Sequence, residues 1–340
     1  MRFLAKRLVV MLGRLLALCV LATFYFWLYY HAPAGRVEEA QVIDIPLGTS
    51  RRQIAIRLEQ AGVIRHGWMF LLYVTWLRPG PHLQAGEYTL RTTMSPAQIA
   101  DILRRGKGAR HVLTIPEGLT VRDIAILVAA KGLGERQAIV NLAHDKAFIT
   151  SLGLTVPSLE GYLFPETYHV PPGISARDLL TLMVRTLQAN YTEDIMARGR
   201  DLGLSQHEVL TLASLIEKEA KHDEERPLIA AVYHNRLQQG MRLQCDPTVI
   251  YALGEYFDGN LHKADLSLDS PYNTYRYAGL PPGPIASPGR RALAAAVAPA
   301  PVDYLYFVAR QQDGRHQFSR TLPEHDAAVQ KYQPITQITP

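Results

Sequence analysis

Two glutamates, Glu217 and Glu219, stand near the end of the run Ser205-Gln-His-Glu-Val-Leu-Thr-Leu-Ala-Ser-Leu-Ile-Glu-Lys-Glu-Ala220, and only one of them is placed for acid chemistry. Ser205 and Glu208 have the spacing of a capping box, which predicts a helix over 205–220. At about 100° per residue, Val209, Leu212, Leu215, Ile216 and Ala220 share one face. Glu219 falls inside that face. Glu217 lies more than a quarter turn from its centre, where an ordinary solvated glutamate is expected. A carboxyl among apolar side chains loses hydration of its charged form, so its pKa rises. A general acid that protonates a leaving oxygen near neutral pH needs that shift, because a glutamate at its ordinary pKa of about 4.3 is ionised there. The helix alone allows a second reading, a buried glutamate paired with a cation, for which Arg226 or Arg236 is available.

Residues suited to holding a substrate lie further along the chain. Glu225–Gly240 reads as a second helix, with Pro227 in its first turn and Gly240 just past its end. The polar run behind it offers Gln244, Asp246 and Thr248, and Ser270–Gly283 offers Asn273 and several tyrosines, Tyr275 among them. Planar hydrogen-bonding groups and aromatic faces suit a sugar. The same residue types also serve plain turns beside Pro and Gly. The 12 histidines show no metal-ligand spacing, and no metal or other cofactor is expected. Of the two cysteines, Cys19 lies in an apolar N-terminal stretch and Cys245 far from it, so no disulfide framework is available.

The net charge of +5 invites a nucleic-acid reading until it is located. Arg2, Lys6, Arg7, Arg14 and Arg36 carry all of it, and beyond Arg36 acidic and basic residues balance, so nucleic acid is excluded as a partner. Those charges flank the apolar stretch Leu15–Tyr30, long enough to cross a bilayer if Arg14 snorkels. Basic residues before it and Glu38 and Glu39 after it put the N-terminus in the cytoplasm and the rest outside. Ala32-Pro33-Ala34 resembles a signal-peptidase site, but the apolar core is longer than a signal's and ends in bulky aromatics, which favours a retained anchor.

A repeat offset by 70 residues pairs Ile45–Ile56 with Ile115–Ile126. In each copy a short strand (Val42–Ile45, Val112–Ile115) meets a Pro/Gly turn, and Ser50 or Thr120 then caps a helix. A looser echo starts at Ser95, with Pro96 at the first helical position. Strand, turn and capped helix in this order resemble the LysM glycan-binding module. Near the C-terminus, Tyr304–Ala309 and His316–Thr321 flank Asp313-Gly314 as a hairpin.

Leu212–Ala220, Asn235–Tyr251, Tyr272–Tyr275 and Gly279–Ile285 together resemble the endolytic murein transglycosylases of the YceG-like family, and the likeness covers roughly 40–330. The resemblance implies one catalytic glutamate, the second of Glu-Lys-Glu, hence Glu219. It implies cleavage between N-acetylmuramic acid and N-acetylglucosamine without water, the muramoyl 6-hydroxyl closing onto C1 as a 1,6-anhydro end. Asn235 lies within one of these motifs, and Glu160–Tyr168 also resembles a family segment, which brings Glu160 and Tyr168 to the groove. Cys245 departs from the pattern, which has a small polar residue such as threonine there. Peptidoglycan glycan strands are the expected partner, with synthases or divisome proteins as further candidates.

The fold expected is α+β: an N-terminal stub and transmembrane helix over 1–36, a LysM-like module over 40–110, and a mixed α/β catalytic domain over 111–335 with a central catalytic helix and a C-terminal hairpin. Two alternatives stay open: a glycoside hydrolase in which Asp246 orients water, since two-carboxylate glycosidases hold their pair within about 5–9.5 Å, and a non-catalytic peptidoglycan-binding scaffold.

Overall fold

The computed structural model describes residues 2–35, 37, 39–46, 48–77, 82–106, 111–171, 173–310 and 312–333, with side chains from Met11. Arg36, Glu38, Leu47 and Pro172, and the side chains of Arg2, Lys6 and Arg7, lie outside the described residues. The chain forms two compact units, one of residues 1–112 and 169–174 and the other of 113–168 and 175–340.

The first unit opens with helix α1 (Arg2–His31), whose segment Met11–His31 has a mean hydropathy of 1.8 and is long and apolar enough to cross a membrane. Strand β1 (Ala40–Ile45), helices α2 (Arg51–Gln60) and α3 (Gly67–Leu72), strand β2 (Gly86–Arg91) and helix α4 (Pro96–Arg105) come after it. A π turn, Tyr73–Leu77, extends α3. β1 and β2 pair antiparallel, Ile43 opposite Tyr88 and Ile45 opposite Gly86. Strand alternation turns Ile43, Ile45, Tyr88 and Leu90 inward onto Ile54, Leu58, Phe70, Ile99 and Leu103. Ser50 and Ser95 are the N-caps expected, and each closes a capping box, with Gln53 and Gln98.

Strands β3 (His111–Thr114) and β4 (Thr167–Val170) pair, and the second unit carries helices α5 (Val121–Ala130), α6 (Arg136–Ala143), α7 (Lys146–Ser151), α8 (Ala176–Asn190) and α9 (Glu193–Asp201). Helices α10 (Gln206–Glu219), α11 (Arg226–Gln238), α12 (Asp246–Leu253) and α13 (Arg290–Ala296) come next. The hairpin β5 (Tyr306–Ala309) and β6 (His316–Ser319) and helix α14 (Leu322–Tyr332) close the described chain. Thr120 caps α5 in a box with Asp123.

α10 is central. Ser205 and Glu208 cap it as the sequence implied, and Ala220 ends it. Every residue from Val209 to Ile216 is buried, because α9, α11, α12 and α13 all pack on it. The single apolar face expected from periodicity is therefore part of a helix enclosed on all sides. Its polar members are satisfied locally: Thr211 donates to the His207 carbonyl at 2.7 Å, and Ser214 donates to that of Thr211 at 2.7 Å while accepting from Ile285 N–H at 3.0 Å. Gly161 (φ +78) fixes a second approach, since a Cβ there would come within 2.3 Å of Pro284 Cβ.

Candidate active site

At the end of α10 the two glutamates part company. The Glu217 side chain is buried, 6% exposed, with Oε1 3.1 Å from Nη2 of Arg226 and Oε2 accepting from Gly289 N–H at 2.9 Å. The solvated position expected for Glu217 is thus not the one it has. The starts of α11 and α13 bring a cation and a backbone donor onto that side of the helix, and no periodicity within α10 records them. The cation-paired buried glutamate is Glu217.

Glu219 takes no cation among the contacts described. Its neighbours are the hydroxyl of Tyr233, which donates to Oε1 at 3.3 Å, the thiol of Cys245, and the charge of Asp246. The residue keeps partial exposure, but protein packs closely around its carboxyl. Burial pushes the pKa up to about 7, Asp246 adds to the rise, and the Cys245 and Tyr233 hydrogen bonds oppose it. Burial also holds the Cys245 thiol and the Tyr233 hydroxyl well above their ordinary ranges, so both remain protonated donors.

A braced loop carries this cluster. Arg236 donates to the carbonyls of Leu243 at 2.8 Å and Leu305 at 2.6 Å and to the Gln244 side chain at 3.2 Å. Gln244 sits in the left-handed region, φ 52, which costs a non-glycine residue on the order of 1 kcal/mol. Its N–H donates to the Thr274 carbonyl at 3.2 Å. Cys245 N–H donates to Thr274 Oγ1 at 2.9 Å, and Thr248 and Thr274 share a hydroxyl contact of 2.9 Å.

The residues singled out for substrate divide into two groups. Gln244 and Asp246 are exposed and Tyr275 partly so, and Tyr275 donates to Asp246 Oδ1 at 2.5 Å. The others spend their polar atoms inside the protein. Asn273 donates to the carbonyls of Leu266 and Leu268, Asn235 to those of Val302 and Tyr304, and Tyr168 to that of Phe164, while Thr248 donates to the Cys245 carbonyl. Glu160, 8% exposed, accepts from Val121 N–H at 3.0 Å at the start of α5 and from Tyr251 at 3.4 Å on α12. Burial raises its pKa to about 7, against those hydrogen bonds.

The profile of the YceG-like family matches residues 43–331. The chain belongs to the YceG-like family. A relative from Bacillus subtilis called endolytic murein transglycosylase is 38% identical over 306 residues, covering 85% of this chain and 84% of that protein. A Streptococcus pneumoniae protein of the same name is 32% identical over 324 residues, covering 85% of this chain and 58% of that longer protein. The 2.6 Å crystal structure of a yceG-like protein from Listeria monocytogenes shares 36% identity and a TM-score of 0.60, covering 86% of this chain and 100% of that one.

In this YceG-like chain, sequence reasoning missed Tyr233 and gave Cys245 no part. Tyr233 had a legible signal: a tyrosine within the apolar run Ile229–Tyr233 needs a partner for its buried hydroxyl. Cys245 had none, since a buried thiol packs as readily as it donates.

Proposed function

We propose that this protein is a membrane-anchored endolytic transglycosylase of peptidoglycan with Glu219 as its single acid/base. One observation carries the reading: Glu219 is a carboxyl whose pKa burial raises to about 7, with two neutral donors and no cation among the described contacts, beside the exposed Gln244 and Asp246 and the partly exposed Tyr275. The names borne by its relatives supply the substrate.

Protonated Glu219 gives its proton to the oxygen joining N-acetylmuramic acid to the next N-acetylglucosamine, and the muramoyl C1–O bond breaks. The resulting carboxylate takes the proton of the muramoyl 6-hydroxyl as that oxygen bonds to C1, closing the 1,6-anhydro ring. No water is consumed, and Glu219 ends protonated as it began. The Asp246 carboxylate, held by Tyr275, stabilises positive charge developing at C1. Asn235, Thr248 and Asn273 shape the loops beneath the sugar, and Glu160 and Tyr168 brace the neighbouring segment.

Contacts made at and just beyond the end of α1 support retention of the anchor. Tyr29 and Tyr30 are buried, and Arg65 donates to the carbonyls of Pro33 and Ala34, so cleavage after Ala34 would strip contacts from the first unit. The N-terminus then lies in the cytoplasm and the fold in the periplasm. Anchored there, the enzyme meets nascent strands beside their synthases and divisome partners, and its cuts terminate them. The β1–α2–α3–β2 arrangement serves as the LysM-like glycan holder, with a cavity of about 400 Å³ between Pro46, Gly48 and Thr49 on one side and His82, Leu83 and Ala85 on the other.

Digestion of purified peptidoglycan in ¹⁸O-labelled water tests the reaction. Transglycosylation leaves every new muramoyl end unlabelled, whereas hydrolysis would place ¹⁸O at each one, and an absence of products would favour a scaffold.

A further inference from the structure

The chain has three tryptophans, Trp27, Trp68 and Trp76, and the fold gathers the elements that carry them. α3 lies against the last turns of α1: Trp68 meets Phe26 edge-on at 6.1 Å, Tyr73 stacks on Tyr30 at 4.3 Å, and Tyr29 and Tyr30 donate to the carbonyls of His66 and Met69. One side of the helical run Gly67–Leu77 faces the core, with Met69, Phe70 and Val74 buried. The opposite side holds Trp68, Leu72 and Trp76 at intervals of four, which share a face. Its two tryptophans are open, Trp68 62% and Trp76 77% exposed, with Leu72 between them partly so, and the neighbouring Leu77 is 57% exposed. A helix apolar all round belongs either in a core or against lipid.

Height decides between them. Trp68 touches Phe26, and Phe24, Trp27 and Leu28 of the same segment are themselves exposed in the part of α1 that is apolar enough to span. The free face of α3 therefore continues the lipid-facing surface of α1 sideways at the level of the headgroups, where tryptophan is favoured because its ring is apolar and its N–H wet.

We infer that Trp68, Trp76 and Leu77 dock the first unit into the headgroup layer of the bilayer, so that the unit is held down at two places rather than tethered at one. The inference rests on α1 being a transmembrane anchor, and its occupant is lipid. Two attachments fix the unit's height above the membrane, which a single flexible tether would not.

The full chain in lipid nanodiscs gives the test. Trp27→Phe leaves Trp68 and Trp76 as reporters, and Trp68→Phe with Trp76→Phe leaves Trp27. Lipids brominated near the ester end of the acyl chain are expected to quench both preparations roughly twofold, with aqueous iodide having little effect on either. If Trp27 is quenched by bromolipid while the Trp68 and Trp76 pair answers only to iodide, the docking is overturned and the anchor stands. A pair shielded from both quenchers would overturn it too, placing a second copy or another protein on that face. Trp27 insensitive to bromolipid would remove the anchor and the inference with it.

Discussion

The guanidinium of Arg226 lies 3.1 Å from Oε1 of Glu217, and that contact separates two glutamates that differ by only two positions in sequence. Glu217 is paired with a cation, and Glu219 has none among the described contacts. Their substitutions should behave oppositely. Glu217→Gln removes one of the two anions paired with the Arg226 guanidinium, Asp223 being the other, and is expected to lower stability in urea by about 1–3 kcal/mol, with the folded fraction still active. Glu219→Gln should leave the melting temperature unchanged or raised while activity disappears, since a neutral amide suits the site better than an ionising acid.

The pH profile derives from the Glu219 pKa of about 7. The acid must carry its proton in the free enzyme, so kcat/KM is expected to fall as pH rises through about 7. Tyr233→Phe removes a donor that favours the carboxylate and should move this limb to higher pH. Cys245→Thr restores a hydroxyl in place of a thiol, a stronger donor, and should move it lower. Unmoved limbs in both variants would mean that neither residue touches the titrating group.

Glu160 makes a separate prediction on stability. Its folded pKa is raised, so between about 4.5 and about 7 the native state holds more protons than the unfolded one. Stability contributed by this group is complete at low pH and lost as pH climbs through that window. Glu160→Gln retains an acceptor for Val121 and should flatten the slope, leaving the variant more stable than the parent at pH 8 by on the order of 3 kcal/mol, with little difference at pH 4. Denaturation curves at the two pH values measure it.

Two glycines with φ +78 form a matched comparison. Gly153 has nothing within 4 Å of its added Cβ, whereas Gly161 faces Pro284 at 2.3 Å. Gly153→Ala should cost about 1–2 kcal/mol from backbone conformation alone. Gly161→Ala should cost roughly 2–5 kcal/mol, the excess reporting the packing of the 160–164 segment on the loop before α13.

How much the sequence disclosed depends on the range of each interaction. The caps at Ser50, Ser95, Thr120 and Ser205 act over three residues, and all four were legible because both partners sit in one short motif. The hairpin at Asp313-Gly314 was legible for the same reason. The Glu217–Arg226–Gly289 contact and the burial of α10 on every side join segments far apart in the chain, and periodicity carries no trace of them. Asn273 looked like a sugar ligand because an amide beside Pro and Gly has the same appearance whether it faces a ligand or, as here, two loop carbonyls. Glu219 could be singled out because apolar spacing and the family pattern selected the same residue.

The most direct test of Glu219 as the acid/base is mass spectrometry of glycan fragments released from purified peptidoglycan by the full chain and by Glu219→Gln. Anhydro-ended fragments are expected from the parent and none from the variant, with the variant folded and melting no lower than the parent. Anhydro ends released at parental rate by the folded variant would contradict that role for Glu219.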